Sequence, residues 1–273
     1  MTLCFQTGDL PPQVEVGGKP YDLYYVGGLG DMQLHGYSFL SSAVYSSSSR
    51  THTFNTATDM IEVLVIGGGG GGGYLPPGEW TSSRQYYSSG AGGNGATVLA
   101  WIDNVKERIG SSVLITIGSS SAMTTSSSSS PPQYIDGANG NVTSFGSFIT
   151  CTGGGGAKVK TNPHTGGFPS REWLGGAGGV GTVNIETMAQ LILNGQGGGM
   201  GQTRLGGTLL GRPSRSFQAA ALKQTSLSTS TALQKTGGGG SGYVTPGIVT
   251  VSYHYGAQGG AGMVLIKEYK KEG

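Results

Sequence analysis

Few side chains in this sequence are spaced for chemistry. Its four histidines, His35, His52, His164 and His254, stand apart from one another and from Cys4 and Cys151, so no metal-ligand spacing forms. His164 sits in Asn162-Pro163-His164-Thr165-Gly166, which reads as a turn. No G-x-S-x-G nucleophile elbow occurs. The 14 carboxylates are scattered singly, and Asp31, Asp59, Asp103 and Asp136 lie beside expected turns, where Asp accepts hydrogen bonds from the local backbone. Glycosidases can draw their two carboxylates from distant positions, which keeps a glycan hydrolase as a minor alternative. Gly67 to Gly73 satisfy G-x-G-x-x-G after an apolar run. That fingerprint holds a pyrophosphate only where its last glycine opens a helix. Tyr74-Leu75-Pro76-Pro77-Gly78 follows instead, with two prolines and no helical period. The expectation is a protein without enzymatic activity, cofactor or metal site.

What remains is a set of aromatic residues inside glycine- and serine-rich loops. Tyr74, Trp80, Tyr86 and Tyr87 follow the first glycine tract, Phe168 and Trp173 lie in a second insertion, and Tyr243, Tyr253, His254 and Tyr255 in a third. Rigid rings on adaptable loops offer a large contact area at low entropic cost, which is the composition of binding paratopes. Such rings also stack on sugars while presenting polar tips. Tyr74, Trp80, Tyr86, Tyr87, Phe168, Trp173, Tyr243 and Tyr255 are therefore the candidate receptor-binding residues, Trp80, Tyr86 and Tyr87 foremost. The plainer role for such rings is to cover the ends of a sheet.

Short apolar runs must position these loops. Met60 to Ile66 is almost continuously apolar and β-branched, which suits a strand covered on both faces. Further strands are readable at 96–102, 112–117, 143–152, 248–253 and 262–269. Strand and glycine tract adjoin repeatedly, at 60–73, at 143–156 and, inverted, at 256–266. Ile185 to Asn194 and Ser216 to Gln224 are the two stretches that could be helical, the second with Ala219-Ala220-Ala221 at its centre. Ahead of this body, Val14-Glu15-Val16, the turn Gly17-Gly18-Lys19-Pro20 and Tyr21 to Val26 read as a β-hairpin. Leu34 to Val44 is mixed, and Ser46 to Ser49 resemble a flexible bridge. The division is thus an N-terminal attachment region, 1–55, and a glycine-rich β domain, 56–273. The fold class is all-β: a sandwich-like core with partly polyglycine-II loops and at most one or two short helices.

Composition narrows the partners. Glycine supplies 54 of the 273 residues, about three times the usual share. Charged residues are 11% and the formal net charge is +2, so the clustered Lys and Arg that neutralise phosphates are missing and nucleic acid is not an expected partner. Two cysteines make no disulfide framework. The start, MTLCFQTGDLPP, lacks the basic and apolar regions of a signal peptide, and no apolar run of about 18 residues occurs anywhere. Synthesis in a cytoplasm without membrane insertion is the expectation.

Residues from about 54 to 269 resemble the glycine-rich domains at the C-terminal ends of phage tail-fibre and tail-tip proteins. The matching stretches are Phe54 to Asp59 before Glu62-Val63-Leu64-Val65-Ile66-Gly67; Val113-Leu114-Ile115-Thr116-Ile117-Gly118; Thr143 to Gly153; and Gly259-Gly260-Ala261-Gly262-Met263-Val264-Leu265-Ile266. The resemblance implies a virion location in the tail, a β-rich domain, other tail proteins as neighbours and often a homotrimer. It also implies recognition of a host cell-surface receptor, a glycan or an outer-membrane protein. The alternative within this setting is a purely structural cap or connector. A looser similarity links the chain to phage adhesins built on stacked polyglycine helices. Longer apolar strands and shorter glycine tracts set it apart from them, so a full polyglycine lattice is not expected.

Overall fold

The computed structural model describes residues 36–73, 90–121, 135–161, 171–198, Gly237 and 258–272, together with the strands Gln13–Val16, Lys19–Tyr25, Met32–Leu34, Gln85–Tyr86, Gly201–Gln202 and Arg204–Leu205. Ten strands build the body: β1 Tyr37–Tyr45, β2 Arg50–Thr53, β3 Met60–Ile66, β4 Thr97–Asp103, β5 Ser112–Thr116, β6 Thr143–Phe145, β7 Ile149–Cys151, β8 Gly181–Val183, β9 Ala189–Leu193 and β10 Met263–Lys271. They form two five-stranded antiparallel sheets, ordered β9-β4-β3-β10-β1 and β8-β7-β6-β5-β2. The fold is all-β, with one helical turn, Val105–Arg108, among the described residues.

Alternation makes the core. Ile61, Val63 and Val65 of β3 point inward with Val98, Ala100 and Ile102 of β4 and Val264 and Ile266 of β10. They meet Val113, Ile115, Phe145, Ile149 and Cys151 from the second sheet. Each large apolar side chain taken out of water here contributes roughly 1.5–3 kcal/mol. The rings of Phe54, Phe145 and Phe148 run on from one another at centroid separations of 6.5 and 6.3 Å.

Several local expectations change. Ile185 to Asn194 does not form a helix: Ala189–Leu193 is the edge strand β9, registered on β4 from Ala189 opposite Trp101 to Leu193 opposite Thr97. An apolar edge has more to gain from pairing than from a marginal helix. The second helical expectation, Ser216 to Gln224, and the strand at 248–253 lie outside the described residues. The mixed stretch ahead of Tyr45 is the nine-residue strand β1, paired along its length with β10. Residues 46–49 turn the chain from β1 into β2, and the Ser49 hydroxyl accepts the Ile117 amide at 3.2 Å. The sheets therefore reach back to Tyr37. The run 143–152 is a hairpin, turned at Gly146, whose φ of +53° suits glycine. The N-terminal hairpin is present as expected, with Gln13–Val16 antiparallel to Lys19–Tyr25, and Met32–Leu34 extends it.

At one end of the sandwich the strands run on into glycine. The chain passes from β3 into 67–73, from β5 into 118–121, from β7 into 152–157 and from β9 into 195–198. It returns through 90–96 to β4, 135–142 to β6, 175–180 to β8 and 258–262 to β10. Hydrogen-bond partners recur every third residue. Gly67, Gly70 and Gly73 donate to Ala96, Gly93 and Gly90 at 2.9, 2.9 and 3.1 Å. Gly68 and Gly71 donate to Asn141 and Ala138 at 3.0 and 2.8 Å, and Gly69 donates to Gly260 at 2.8 Å. A period of three, with bonds only between neighbouring chains, is the signature of polyglycine II. A Cβ built on Gly70 would fall inside the carbonyl of Gly155, so the backbones lie too close for any side chain. At two positions a side-chain oxygen replaces a carbonyl acceptor: Ser121 Oγ takes the Gly259 amide at 2.8 Å and Asn139 Oδ1 the Gly156 amide at 2.9 Å. The lattice is thus far more extensive than the tract lengths suggested. Among the described residues eight short tracts, with Gly237 bonded between Gly95 and Ala261, assemble what no single tract is long enough to make.

Candidate functional site

Strand direction gives the molecule two poles. β1 begins and β10 ends at the pole away from the glycine bundle, where Tyr37 faces Lys271 and the Glu272 amide donates to Gly36 at 2.8 Å. The N-terminal region therefore joins the body at this proximal pole. The segments 74–89, 122–134 and 158–174 leave and re-enter at the opposite, distal end of the bundle. Gly73 and Gly90 close the first of them with a 3.1 Å hydrogen bond, and Gly137 and Ala157 are joined there at 2.8 Å.

Beyond that end lies a small sheet. Lys158–Thr161 pairs with Arg171–Leu174, with Val159 opposite Trp173 and Lys160 opposite Glu172. Gly201–Gln202 adds a third strand, with Gly201 opposite Trp173 and Gln202 opposite Glu172. Three residues on, Arg204–Leu205 pairs with Gln85–Tyr86, with Arg204 opposite Tyr86. The strands within 201–205 thus join the backbone positions of Trp173 and Tyr86, which are far apart in sequence. Of the other candidate residues, Tyr74, Trp80, Tyr87, Phe168, Tyr243 and Tyr255 lie outside the described residues. At the base of the hairpin, Lys158 Nζ is 3.2 Å from Asp136 Oδ2. Both are about half exposed, so the pair contributes little to stability.

Sequence reading missed a second cluster, buried between the sheets near the proximal pole. Glu268 of β10 accepts from Ser41 Oγ at 3.0 Å, from the Asn55 amide at 2.8 Å and from the Thr58 hydroxyl. His52 Nε2 lies 3.2 Å from Glu268 Oε1, off hydrogen-bond alignment, and His52 Nδ1 is 2.8 Å from the Tyr45 hydroxyl. Burial pushes His52 below its ordinary value, and the neighbouring Glu268 only partly offsets this. Burial alone would raise Glu268, but donation from Thr58, Asn55 and Ser41, with the charge of His52, outweighs it and holds the carboxyl low. The arrangement clamps β1, β2 and the 54–58 turn onto β10. More than two hundred residues separate the partners, so no local pattern announces them. Among the described residues no three His, Cys, Asp or Glu side chains gather as metal ligands.

A family model described as "Glycine-rich domain" matches residues 44–269. The chain belongs to this glycine-rich domain family. The match runs from the last two residues of β1 to Tyr269 in β10 and takes in the strands and glycine tracts described between them. No curated protein matches the sequence.

Proposed function

We propose that the protein is a distal tail-fibre or tail-tip component of a phage, which adsorbs to a receptor on the host cell surface, a glycan or an outer-membrane protein. The observation that supports this reading best is the polarity of the chain. The chain ahead of Gly36 joins the body at one pole, and the aromatic-bearing segments are anchored at the other, separated by the sandwich and the polyglycine bundle. A bundle cross-linked by backbone hydrogen bonds offers stiff footings to loops that must meet a surface, and stiffness lowers the entropic cost of binding. Several copies on one particle would strengthen shallow individual contacts. The resemblance of 54–269 to tail-fibre and tail-tip domains supplies the setting.

The test is adsorption. Trp80→Ala combined with Tyr86→Ala is expected to weaken attachment to host cells by at least about tenfold, with unchanged circular dichroism and thermal unfolding. Undiminished attachment by the folded double variant would remove these loops from the reading and leave a structural cap or connector in its place.

A further inference from the structure

Every step of the chain that is prone to succinimide formation lies in the glycine bundle. Of the eight asparagines, Asn94, Asn139 and Asn194 are followed by glycine, and Asp136 is the one aspartate followed by glycine. Glycine has no Cβ to hinder its neighbour, so its amide nitrogen readily reaches the preceding side chain. That nitrogen, once deprotonated, attacks the Asn Cγ. The new N–C bond closes a five-membered imide, the bond from Cγ to the side-chain nitrogen breaks, and ammonia leaves with the proton. Water then opens the imide at either carbonyl, giving aspartate or isoaspartate. At Asp136 the same ring forms with loss of water, and its hydrolysis yields isoaspartate without a change of mass.

In the bundle all four nitrogens are engaged. The amides of Gly95, Gly140 and Gly195 donate to Gly237, Gly154 and Gly179 at 3.0, 2.8 and 2.8 Å, and the Gly137 amide donates to Ala157 at 2.8 Å. Side chains are held as well. Asn139 Oδ1 accepts the Gly156 amide at 2.9 Å, Asn194 Oδ1 accepts the Gly181 amide at 3.2 Å, and Asp136 Oδ2 lies 3.2 Å from Lys158 Nζ. Ring closure would break these bonds and turn the backbone out of the extended polyglycine geometry. Burial is not what the sites share, since Asn94 is 3% exposed whereas Asn139 and Asn194 stand open to solvent. We propose that Asn94, Asn139, Asn194 and Asp136 are latent modification sites, kept unreactive by the backbone bonds of the bundle and converted when the bundle opens. Isoaspartate adds a methylene to the main chain. A converted tract therefore loses the period of three that pairs it with its neighbours, and the opening becomes permanent. The proposal stands independently of receptor binding.

Peptide mapping of the full chain, aged in mildly alkaline buffer, tests it. Mass spectrometry follows the three asparagines, and enzymatic methylation of isoaspartate follows Asp136. In the folded protein all three asparagines are expected to convert at least about tenfold more slowly than in the urea-unfolded chain, the exposed Asn139 and Asn194 as much as the buried Asn94. The Gly70 amide donates to Gly93, beside Asn94. In folded Gly70→Ala, hydrogen exchange at the Gly95 amide and conversion at Asn94 are expected to rise together, while Gly197→Ala leaves both as they were. Conversion of Asn139 or Asn194 in the folded wild type as fast as in the unfolded chain would overturn the proposal, because burial alone would then account for a slow Asn94. So would a folded Gly70→Ala variant in which Gly95 exchanges faster and Asn94 does not convert faster.

Discussion

The amide of Gly154 donates to the carbonyl of Gly68 at 2.9 Å, and three residues later Ala157 repeats the contact with Gly71 at 3.0 Å. Gly68 follows β3 of one sheet and Gly154 follows β7 of the other, so the bond joins two tracts that leave different sheets in the same direction. The bundle thereby fastens the sandwich across its core at one end. Loops anchored on it inherit a fixed spacing that glycine on its own, with its large backbone entropy, would not give.

Substitution at this lattice should be severe and selective. A Cβ on Gly70 would overlap the carbonyl of Gly155, a backbone group with no freedom to move aside, whereas on Gly197 the nearest atom is 3.4 Å away. Gly70→Ala is expected to cost about 3 kcal/mol or more. In a domain of this size that lowers the melting temperature by roughly 6 °C or more. Gly197→Ala is expected to be near neutral. Thermal unfolding of the two variants checks the contrast, and equal melting temperatures would contradict the close-packed lattice.

Acid should weaken the clamp on β10 in two stages. His52 titrates below the ordinary histidine value of 6.5 in the folded chain. The unfolded chain therefore binds more protons as pH falls through 6.5, and stability declines from there. Glu268 titrates below the ordinary value of 4.5, so its contribution is present above that pH and is lost as pH falls beneath it. Glu268→Gln is expected to cost about 2 kcal/mol at neutral pH and to flatten the lower limb. His52→Gln should flatten the upper limb. Urea midpoints measured from pH 8 to pH 3 give both profiles.

Burial pushes the Cys151 thiol up to about 12, and its Sγ lies 3.2 Å from the carbonyl of Val65 as a donor. In a Cys4→Ser background the folded protein should not react with a thiol reagent at pH 8, and should react fully once urea unfolds it. Rapid labelling of the folded variant would contradict the buried position.

The sequence made the scaffold legible wherever side chains alternate. The runs around Val63, Val98, Ile115 and Ile266 announce strands because their inward residues are mostly apolar and β-branched. β9 does not show the pattern because Leu191, Ile192 and Leu193 are apolar on both faces of an edge, which erases the period of two. The lattice is hidden in the sequence for the opposite reason. Gly68 and Gly154 have no side chain through which a pattern could show which tract meets which, and only the assembled backbone reveals the threefold repeat. Of the candidate site, the backbone pairing that links Trp173 to Tyr86 through 201–205 depends on contacts between three insertions, which no local spacing encodes.

The most direct measurement is a map of the assembled particle that resolves the orientation of this chain. The account predicts the proximal pole, at Gly36 and Lys271, turned toward the tail, and the distal segments 74–89 and 158–174 outermost and accessible to solvent. Distal segments packed against neighbouring tail proteins, with the opposite pole facing outward, would contradict it.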